Sequence, residues 1–345
     1  MKKKIVAFLF AAFVLLVAVL YIFFAPATAF DEKAKSFIVE PDKNNKEDVV
    51  ALLKEKYIIK NGWAFSLLAS QLGVWDKLRP GKFEVRNGDN VLSIVRMLRR
   101  NRQVEVKLVI NKLRTNEDLA RLIGKNFSTD SAGVMQFLTS NDSLKPFSID
   151  SNTVMTIVVP NTYAFYWSTG LAKIFTRIKK ASDDFWGNGG RMQKATTMGF
   201  TSKEIYTIAS IVEEETNKEE DKGKIASVYI NRLHKGMNLG ADPTIKFALK
   251  DFLLKRILFQ HLTVLSPYNT YKNKGLPPGP ICTPSTNTID AVLNAPATDY
   301  IFFVAKPDFS GYSNFSSNFA QHSQYAKEYQ QALNEYLSKK QQTEE

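Results

Sequence analysis

The hydrophobic pattern breaks the chain at its start. Lys2, Lys3 and Lys4 precede an unbroken apolar run from Ile5 to Phe24. About 20 apolar residues in a helix cross a bilayer. Cations flanking such a run stay on the cytoplasmic side. The pattern therefore predicts a cytoplasmic stub over 1–4 and a single transmembrane anchor over 5–24. Ala27-Thr28-Ala29 offers a competing reading, a cleaved signal peptide, but signal peptides carry apolar regions of only about 7–15 residues. In both readings the chain after Phe24 lies outside the cytoplasm, on the outer or periplasmic face of the inner (cytoplasmic) membrane.

Residues 25–46 are mostly polar and read as a linker. From 47 to 110 the periodicity alternates between helical and extended. Asp48–Leu53 and Trp63–Leu72 have helical spacing, and Lys82–Val85 alternates as a strand. Asp89 is placed to cap a helix with apolar positions Val91, Leu92, Ile94, Val95 and Leu98. Val104–Val109 alternates again. Further on, Thr115–Phe127 and Ser131–Thr139 read as helices, the first opened by Thr115 and Asp118 as an approximate capping box. Val154–Val159 reads as a strand, followed by the aromatic cluster Phe165, Tyr166 and Trp167. Leu171–Phe185 is helical, and Gly187–Gly190 is a turn without phosphate-loop spacing. An amphipathic helix over Phe319–Lys339 precedes a polar tail, 341–345. The class expected is α+β: a small module over 47–110 and a larger mixed α/β domain over 111–340, behind one N-terminal transmembrane helix.

The stretch Ile208–Thr216, IASIVEEET, ends an apolar helix in three glutamates. Thr201 and Glu204 form a capping-box pattern that starts this helix. On a wheel of about 100° per residue, Ile205, Ile208, Ala209, Ile211 and Val212 define an apolar face centred near −40°. Glu213 falls at about +80° and Glu214 at about 180°. Glu215 falls at about −80°, between Ile208 and Ile211. One carboxyl is thus aimed at the apolar side, where burial raises its pKa and makes it a usable general acid. Two plainer readings compete: the helix ends before Glu215, or Glu215 pairs with Arg232. Glu213, Glu214, Glu219, Glu220 and Asp221 read as solvated charges.

Composition narrows the chemistry. The chain has 345 residues, 46 Lys+Arg against 34 Asp+Glu, and a net charge of +12. The cations are scattered, with short clusters at Arg99-Arg100 and Lys179-Lys180, and no nucleic-acid motif accompanies them. No nucleic-acid partner is expected, and the charge suits an anionic polymer or lipid instead. Cys282 is the only cysteine, which excludes an intrachain disulfide. With three histidines it makes a zinc site improbable. No metal or other cofactor is expected.

Four blocks carry a resemblance. IASIVEEET, KIASVYINRLHKGMNLGADPTI (224–245), SPYNTYKNKGLPPGPICTPS (266–285) and SNFSSNFAQHSQY (313–325) are similar, in order and spacing, to the endolytic murein transglycosylase, or YceG-like, family. PNTYAFYW (160–167) and the N-terminal apolar run agree with it. FEVRNGDNVLSIV (83–95) resembles the first half of a LysM repeat, a small glycan-binding module, and is equally a generic strand–turn–helix. The family's Glu-x-Glu-Thr places its catalytic glutamate at Glu215, with Glu214 at the x position, where a lysine can stand in relatives.

The resemblance implies a membrane-anchored enzyme. It would cleave the β-1,4 bond between N-acetylmuramic acid and N-acetylglucosamine in nascent peptidoglycan strands and leave 1,6-anhydro ends, beside peptidoglycan synthases. One carboxyl would act as acid and then base, where ordinary glycosidases use two. The remaining blocks read as the groove. Asn269 and Tyr271 lead the binding candidates, with Tyr268, Asp242, Thr244 and Asn318. Asp242-Pro243 also reads as a plain helix start, and Leu276–Pro280 as a stiff extended wall. The alternative is a non-catalytic envelope protein that binds glycan or recruits synthases. A carboxyl on the apolar side of its helix, with intact groove blocks, favours the enzyme.

Overall fold

The computed structural model of the chain describes residues 2–344. The Cα trace divides into two compact units. One runs to Leu108 and takes in 126–129 and 164–170; the other holds the rest.

In the first unit, α1 (Lys2–Phe24) is long and apolar enough to cross a membrane. The chain is tied down at once where it leaves this helix. Pro26 bridges to Asn90, the Ala27 amide donates to the Asp89 carbonyl at 2.9 Å, and Ala27 and Phe30 are buried. The segment expected as a linker, 25–46, contains a strand, β1 (Ala34–Val39). Its Phe37 and Val39 alternate with more open residues, a period-2 signal short enough to pass as polar coil. After α2 (Lys46–Glu55) and α3 (Gly62–Gln71) comes β2 (Gly81–Arg86), which pairs antiparallel with β1 so that Phe37 faces Phe83, rings stacked at 5.7 Å. The Asn87-Gly88 turn then leads into α4 (Val91–Arg99). Asn90, not Asp89, caps α4, accepting from the Ser93 amide at 2.8 Å. Asp89 instead closes the turn, accepting from the Arg86 amide at 2.8 Å. Gly88 sits at φ +88, where a side chain would be strained. Val49, Leu53, Phe65, Phe83, Val85, Ile94 and Leu98 make a dry core.

The chain then passes through β3 (Glu105–Ile110), whose residues alternate in burial, α5 (Asn116–Asn126), α6 (Ser131–Thr139) and the single turn α7 (Asn141–Leu144). The capping box before α5 forms with Asp118 in the usual place of Glu. Thr115 and Asp118 exchange amide-to-side-chain bonds, each of 3.1 Å. The strand expected over 154–159 is instead a buried 3-10 turn, Val154–Ile157. A short apolar run does not distinguish a strand from a buried helical turn. Here Asp150 decides it, accepting from the Asn152 and Thr153 amides at 2.9 Å each and turning the chain. The strand comes later, β4 (Asn161–Tyr166), and pairs with β3.

The second unit is built on helices: α8 (Leu171–Gly187), α9 (Arg191–Thr197), α10 (Ser202–Glu215), α11 (Glu219–His234), α12 (Asp242–Leu249) and α13 (Thr286–Leu293). The hairpin β5 (Phe302–Ala305) and β6 (Ser313–Ser316) follows, and then α14 (Phe319–Glu344). The expected polar tail continues α14 to Glu344, and Glu345 lies outside the described residues.

Helix α10 is the axis of this unit. The Thr201–Glu204 capping box forms, and every residue from Ile205 to Val212 is buried. Helices α9, α11, α12 and α13 and the segment around Ile281 surround it. Its polar positions are satisfied inside. Tyr206 donates to the Val158 carbonyl at 2.6 Å, and Ser210 accepts from the Ile281 amide at 3.0 Å. Burying each of its isoleucines contributes roughly 1.5–3 kcal/mol. Leu276–Pro280, expected as a groove wall, is mostly buried instead. Pro277, Gly279 and Pro280 are covered, and a Cβ on Gly279 would meet the Asn152 carbonyl oxygen at 2.1 Å.

Candidate active site

The last turn of α10 carries the three glutamates into three environments. Glu213 and Glu214, expected as solvated charges, are enclosed. Glu214 pairs with Lys112 at 2.8 Å and Arg114 at 3.1 Å. Burial works to raise its pKa, but the hydrogen bonds and charges of Lys112 and Arg114 outweigh it and hold the carboxyl below its usual value. Glu213 accepts from Ser285 at 3.1 Å and from Thr288, with Lys222 at 3.6 Å. Asp221 is also buried, accepting from the Ser313 amide at 2.7 Å. A helical wheel assumes one wet face. From Ile205 onward this helix has none, because other elements cover the side opposite its apolar stripe.

Glu215 is different. It belongs to the helix, which excludes the reading that α10 ends before it. Its Oε1 accepts from the Tyr229 hydroxyl on α11, and no cation among the described residues pairs with it directly. Arg232 is committed elsewhere: Nε donates to the Ile301 carbonyl at 2.8 Å, Nη1 to the Leu239 carbonyl at 2.5 Å, and the guanidinium lies 5.6 Å from the Phe302 ring centre. Burial pushes the Glu215 carboxyl up to about 7, and the charge of Asp242 adds to this. The Tyr229 hydrogen bond and the charges of Arg232 and Lys246 oppose it without cancelling it. The side chain is not sealed, since Glu215 retains some solvent exposure. A carboxyl that is both perturbed and reachable can exchange a proton with a ligand near neutral pH.

Asp242 begins α12 but does not cap it. The N-cap is Ala241, Pro243 is the second helical residue, and no side chain caps this end. The Asp242 carboxylate is therefore free for Tyr271, whose hydroxyl donates to Oδ1 at 2.5 Å. Burial first, then this bond and the nearby carboxylates, raises the Tyr271 phenol, which stays a neutral donor. Gly240, at φ +57, lets the chain pass close to Arg232 and the Tyr271 ring. A Cβ there would lie 3.6 and 3.7 Å from them.

The other predicted residues divide into those that face the site and those that hold it. Asn269 is fully buried. Its amide nitrogen donates to the Leu262 and Val264 carbonyls at 3.0 and 2.9 Å, and its Oδ1 accepts from the Tyr271 amide at 3.0 Å. Those bonds occupy the whole side chain in bracing the 262–271 loop. Thr244 is buried too, bonded to the Ala241 carbonyl at 2.7 Å and to Thr270 at 2.8 Å. Tyr268 packs on Phe247, rings 4.6 Å apart. Asn318 is exposed and accepts from the Gln321 amide at 2.9 Å, at the start of α14. The structure thus brings Glu215, Asp242 and Tyr271 together, with Asn269, Thr244 and Tyr268 supporting them. Tyr229 was missed. The signal was a tyrosine among the mostly aliphatic residues Ile225–Ile230 of α11, where a buried hydroxyl needs a partner.

The chain as a whole has counterparts among known proteins. The family model described as YceG-like matches residues 38–328. The chain belongs to the YceG-like family. Two curated relatives are named endolytic murein transglycosylase. That of Bacillus subtilis (strain 168) is 41% identical over 134 residues, 38% of this chain and 36% of its own length. That of Streptococcus pneumoniae serotype 2 (strain D39 / NCTC 7466) is 25% identical over 307 residues, 80% of this chain and 55% of its own. This YceG-like chain therefore spans 36–55% of the length of those relatives. A crystal structure of a YceG-like protein from Listeria monocytogenes aligns with a TM-score of 0.56 at 26% identity, covering 85% of this chain and 99% of that one.

Proposed function

We propose that the chain is a lytic transglycosylase that cleaves the N-acetylmuramyl-β-1,4-N-acetylglucosamine bond within peptidoglycan strands, with Glu215 as acid and then base. The observation that carries this reading is a carboxyl raised to about 7 by burial, hydrogen-bonded by Tyr229 and still reachable. Protonated Glu215 gives its proton to the glycosidic oxygen as the C1–O bond breaks. The substrate's acetamido group stabilises the oxocarbenium-like centre. Glu215, now a carboxylate held by Tyr229, takes the proton of the muramyl 6-hydroxyl. That oxygen bonds to C1, closing a 1,6-anhydro ring, and water is not consumed. Asp242 keeps negative charge near Glu215 and so helps hold the proton in the ground state. The Asp242–Tyr271 pair presents polar atoms to sugar hydroxyls. The residues that build the site need no metal or organic cofactor for these steps.

Two further parts of the reading concern place. The apolar α1 would anchor the chain, with Lys2–Lys4 cytoplasmic and both units outside, so the strands cut would be those being made at the membrane by peptidoglycan synthases. The β2–turn–α4 element would serve as a LysM-like glycan contact.

The deciding test is mass spectrometry of products from purified glycan strands. It uses the full-length protein in detergent, because Ala27 and Phe30 belong to the core of the first unit. Anhydro-muramyl ends from wild type, absent with Glu215→Gln, are expected. Ordinary reducing ends would mean hydrolysis and point to Asp242 as a second carboxylate. Strand binding without cleavage by wild type would leave a glycan-binding or synthase-recruiting protein.

A further inference from the structure

The residues that follow α12 form a second wall beside the site that the reaction above leaves unused. A cleft of about 520 Å³ lies between this segment and the Asp242–Tyr271 pair, and its lining includes Arg256, Ile257, Leu258 and Leu262. The wall is largely apolar with one cation. From Phe252 to Ser266 the sequence FLLKRILFQHLTVLS contains no acid, and most of its side chains are apolar. Arg256, exposed, stands beside Ile257, Leu258 and Leu262, and Phe259 and Gln260 complete this side of the lining.

That cation is uncommitted. Arg256 makes no hydrogen bond or ion pair with any described residue. Several other cations of the unit are engaged: Arg114 and Lys112 with Glu214, Arg232 with the Leu239 and Ile301 carbonyls, Lys250 with Glu117, and Lys272 with the Thr263 carbonyl. Lys246 and Lys255, like Arg256, make no side-chain bond among the described residues, but of these three only Arg256 lines the cleft. The same cleft holds Asp242, already bonded to Tyr271. Asp242 repels an anion and suits hydroxyls, so an anionic ligand has a defined register, with its carboxylate at Arg256 and its neutral sugar part at Asp242.

We propose that this cleft is a subsite for the stem peptide carried by the muramyl residue, with Arg256 pairing a peptide carboxylate and the aliphatic wall taking the methyl groups that precede it. The inference rests on peptidoglycan being the substrate. It adds that the protein distinguishes peptide-bearing strands from bare ones. The chemistry matches part for part: the peptide is attached through a lactyl ether, begins with small apolar groups, and carries carboxylates a few bonds farther on. A guanidinium is the side chain that holds a carboxylate through two parallel bonds.

The test is steady-state cleavage by the full-length chain on three substrates: native peptide-bearing strands, the same strands with peptide carboxylates converted to primary amides, and strands stripped of peptide. Wild type, Arg256→Gln and Arg256→Lys are compared. Arg256→Gln is expected to raise KM about tenfold on native strands with kcat little changed, the size of one charge-assisted pair. It should leave KM on amidated strands unchanged. Arg256→Lys should recover part of the loss. Equal KM for wild type and Arg256→Gln on native strands would overturn the proposal. So would an equal loss on amidated strands, which would make Arg256 a glycan or fold residue. An equal loss on stripped strands would also overturn it, because the anion would then be the lactyl carboxylate. If wild type cuts none of the three substrates, the transglycosylase reading fails instead, so the two failures are distinguishable.

Discussion

The two sides of the last turn of α10 use the same residue for opposite ends. On one side Glu214 is enclosed with two cations, and its proton is held off. On the other, Glu215 is enclosed with a tyrosine and a second carboxylate, and its proton is held on. Burial raises the pKa in both places. The neighbours decide the outcome: Lys112 and Arg114 overcome burial, while the distant Arg232 and Lys246 do not. Adjacent glutamates therefore differ in protonation because of what other elements bring to them, and that difference is a property of α11, α12 and the 109–114 segment as much as of α10.

Neutralising each carboxyl in turn separates the two glutamates most widely. Glu215→Gln is expected to remove at least a thousandfold of activity, the general-acid share of the rate together with its later role as base. Glu214→Gln should leave activity per folded molecule within a few-fold, while stability falls by about 1–3 kcal/mol because two cations lose their partner. Product analysis and thermal melts read the two effects separately. A large activity loss in folded Glu214→Gln would erase the distinction.

Tyr229→Phe comes next. It removes the hydrogen bond that steadies the Glu215 carboxylate, so activity should drop about 10–100-fold, and the alkaline limb of the pH–rate profile should move upward, since that bond favours ionisation. A loss of rate with an unmoved limb would make Tyr229 a packing residue only. In wild type that limb should fall near pH 7, where Glu215 loses the proton it must donate.

Stability against pH sharpens the contrast further, because the two glutamates have opposite signs. Glu215 has its pKa raised from about 4.5 to about 7, so the folded chain holds the extra proton between those values. Stability from this group is full below pH 4.5 and declines as pH rises through 7, by about 2–4 kcal/mol. Glu215→Gln should accordingly melt higher than wild type at pH 8 and about equally at pH 4.5. Glu214 has its pKa lowered, so its contribution is full above the unfolded value and fades as pH falls through the folded one. The smallest effect expected is in Asn318→Ala, which removes an exposed bond at the start of α14 and should cost about 1 kcal/mol with no change in cleavage.

How much of this was legible in the sequence follows the same divide. Elements with one dry face, such as α4 and β3, were readable from periodicity because water enforces the alternation. The Thr115–Asp118 and Thr201–Glu204 caps were readable because capping is local. The burial of the Glu215 carboxyl was readable from its angle on the wheel. Glu214 was misread because Lys112 and Arg114 lie a hundred residues away, and a wheel carries no information about what packs on its far side. Asn269 looked like a sugar ligand because amides bind sugars. Its burial with three bonds to the loop backbone is a tertiary fact, as is the 3-10 turn at Val154, set by Asp150. Asp242 looked like a cap because it precedes a proline. The structure moves the helix start by one residue, and that shift frees the carboxylate.

The binding of Pro26 to Asn90 and of Ala27 to Asp89, directly after the apolar helix, also has a mechanical side. A leash lets a domain wander over the volume its length allows, whereas a handle passes on position and torque. The first unit is held by a handle. Whatever grips α1, the Pro26 bridge and the Ala27 bond join its end directly to the turn between β2 and α4.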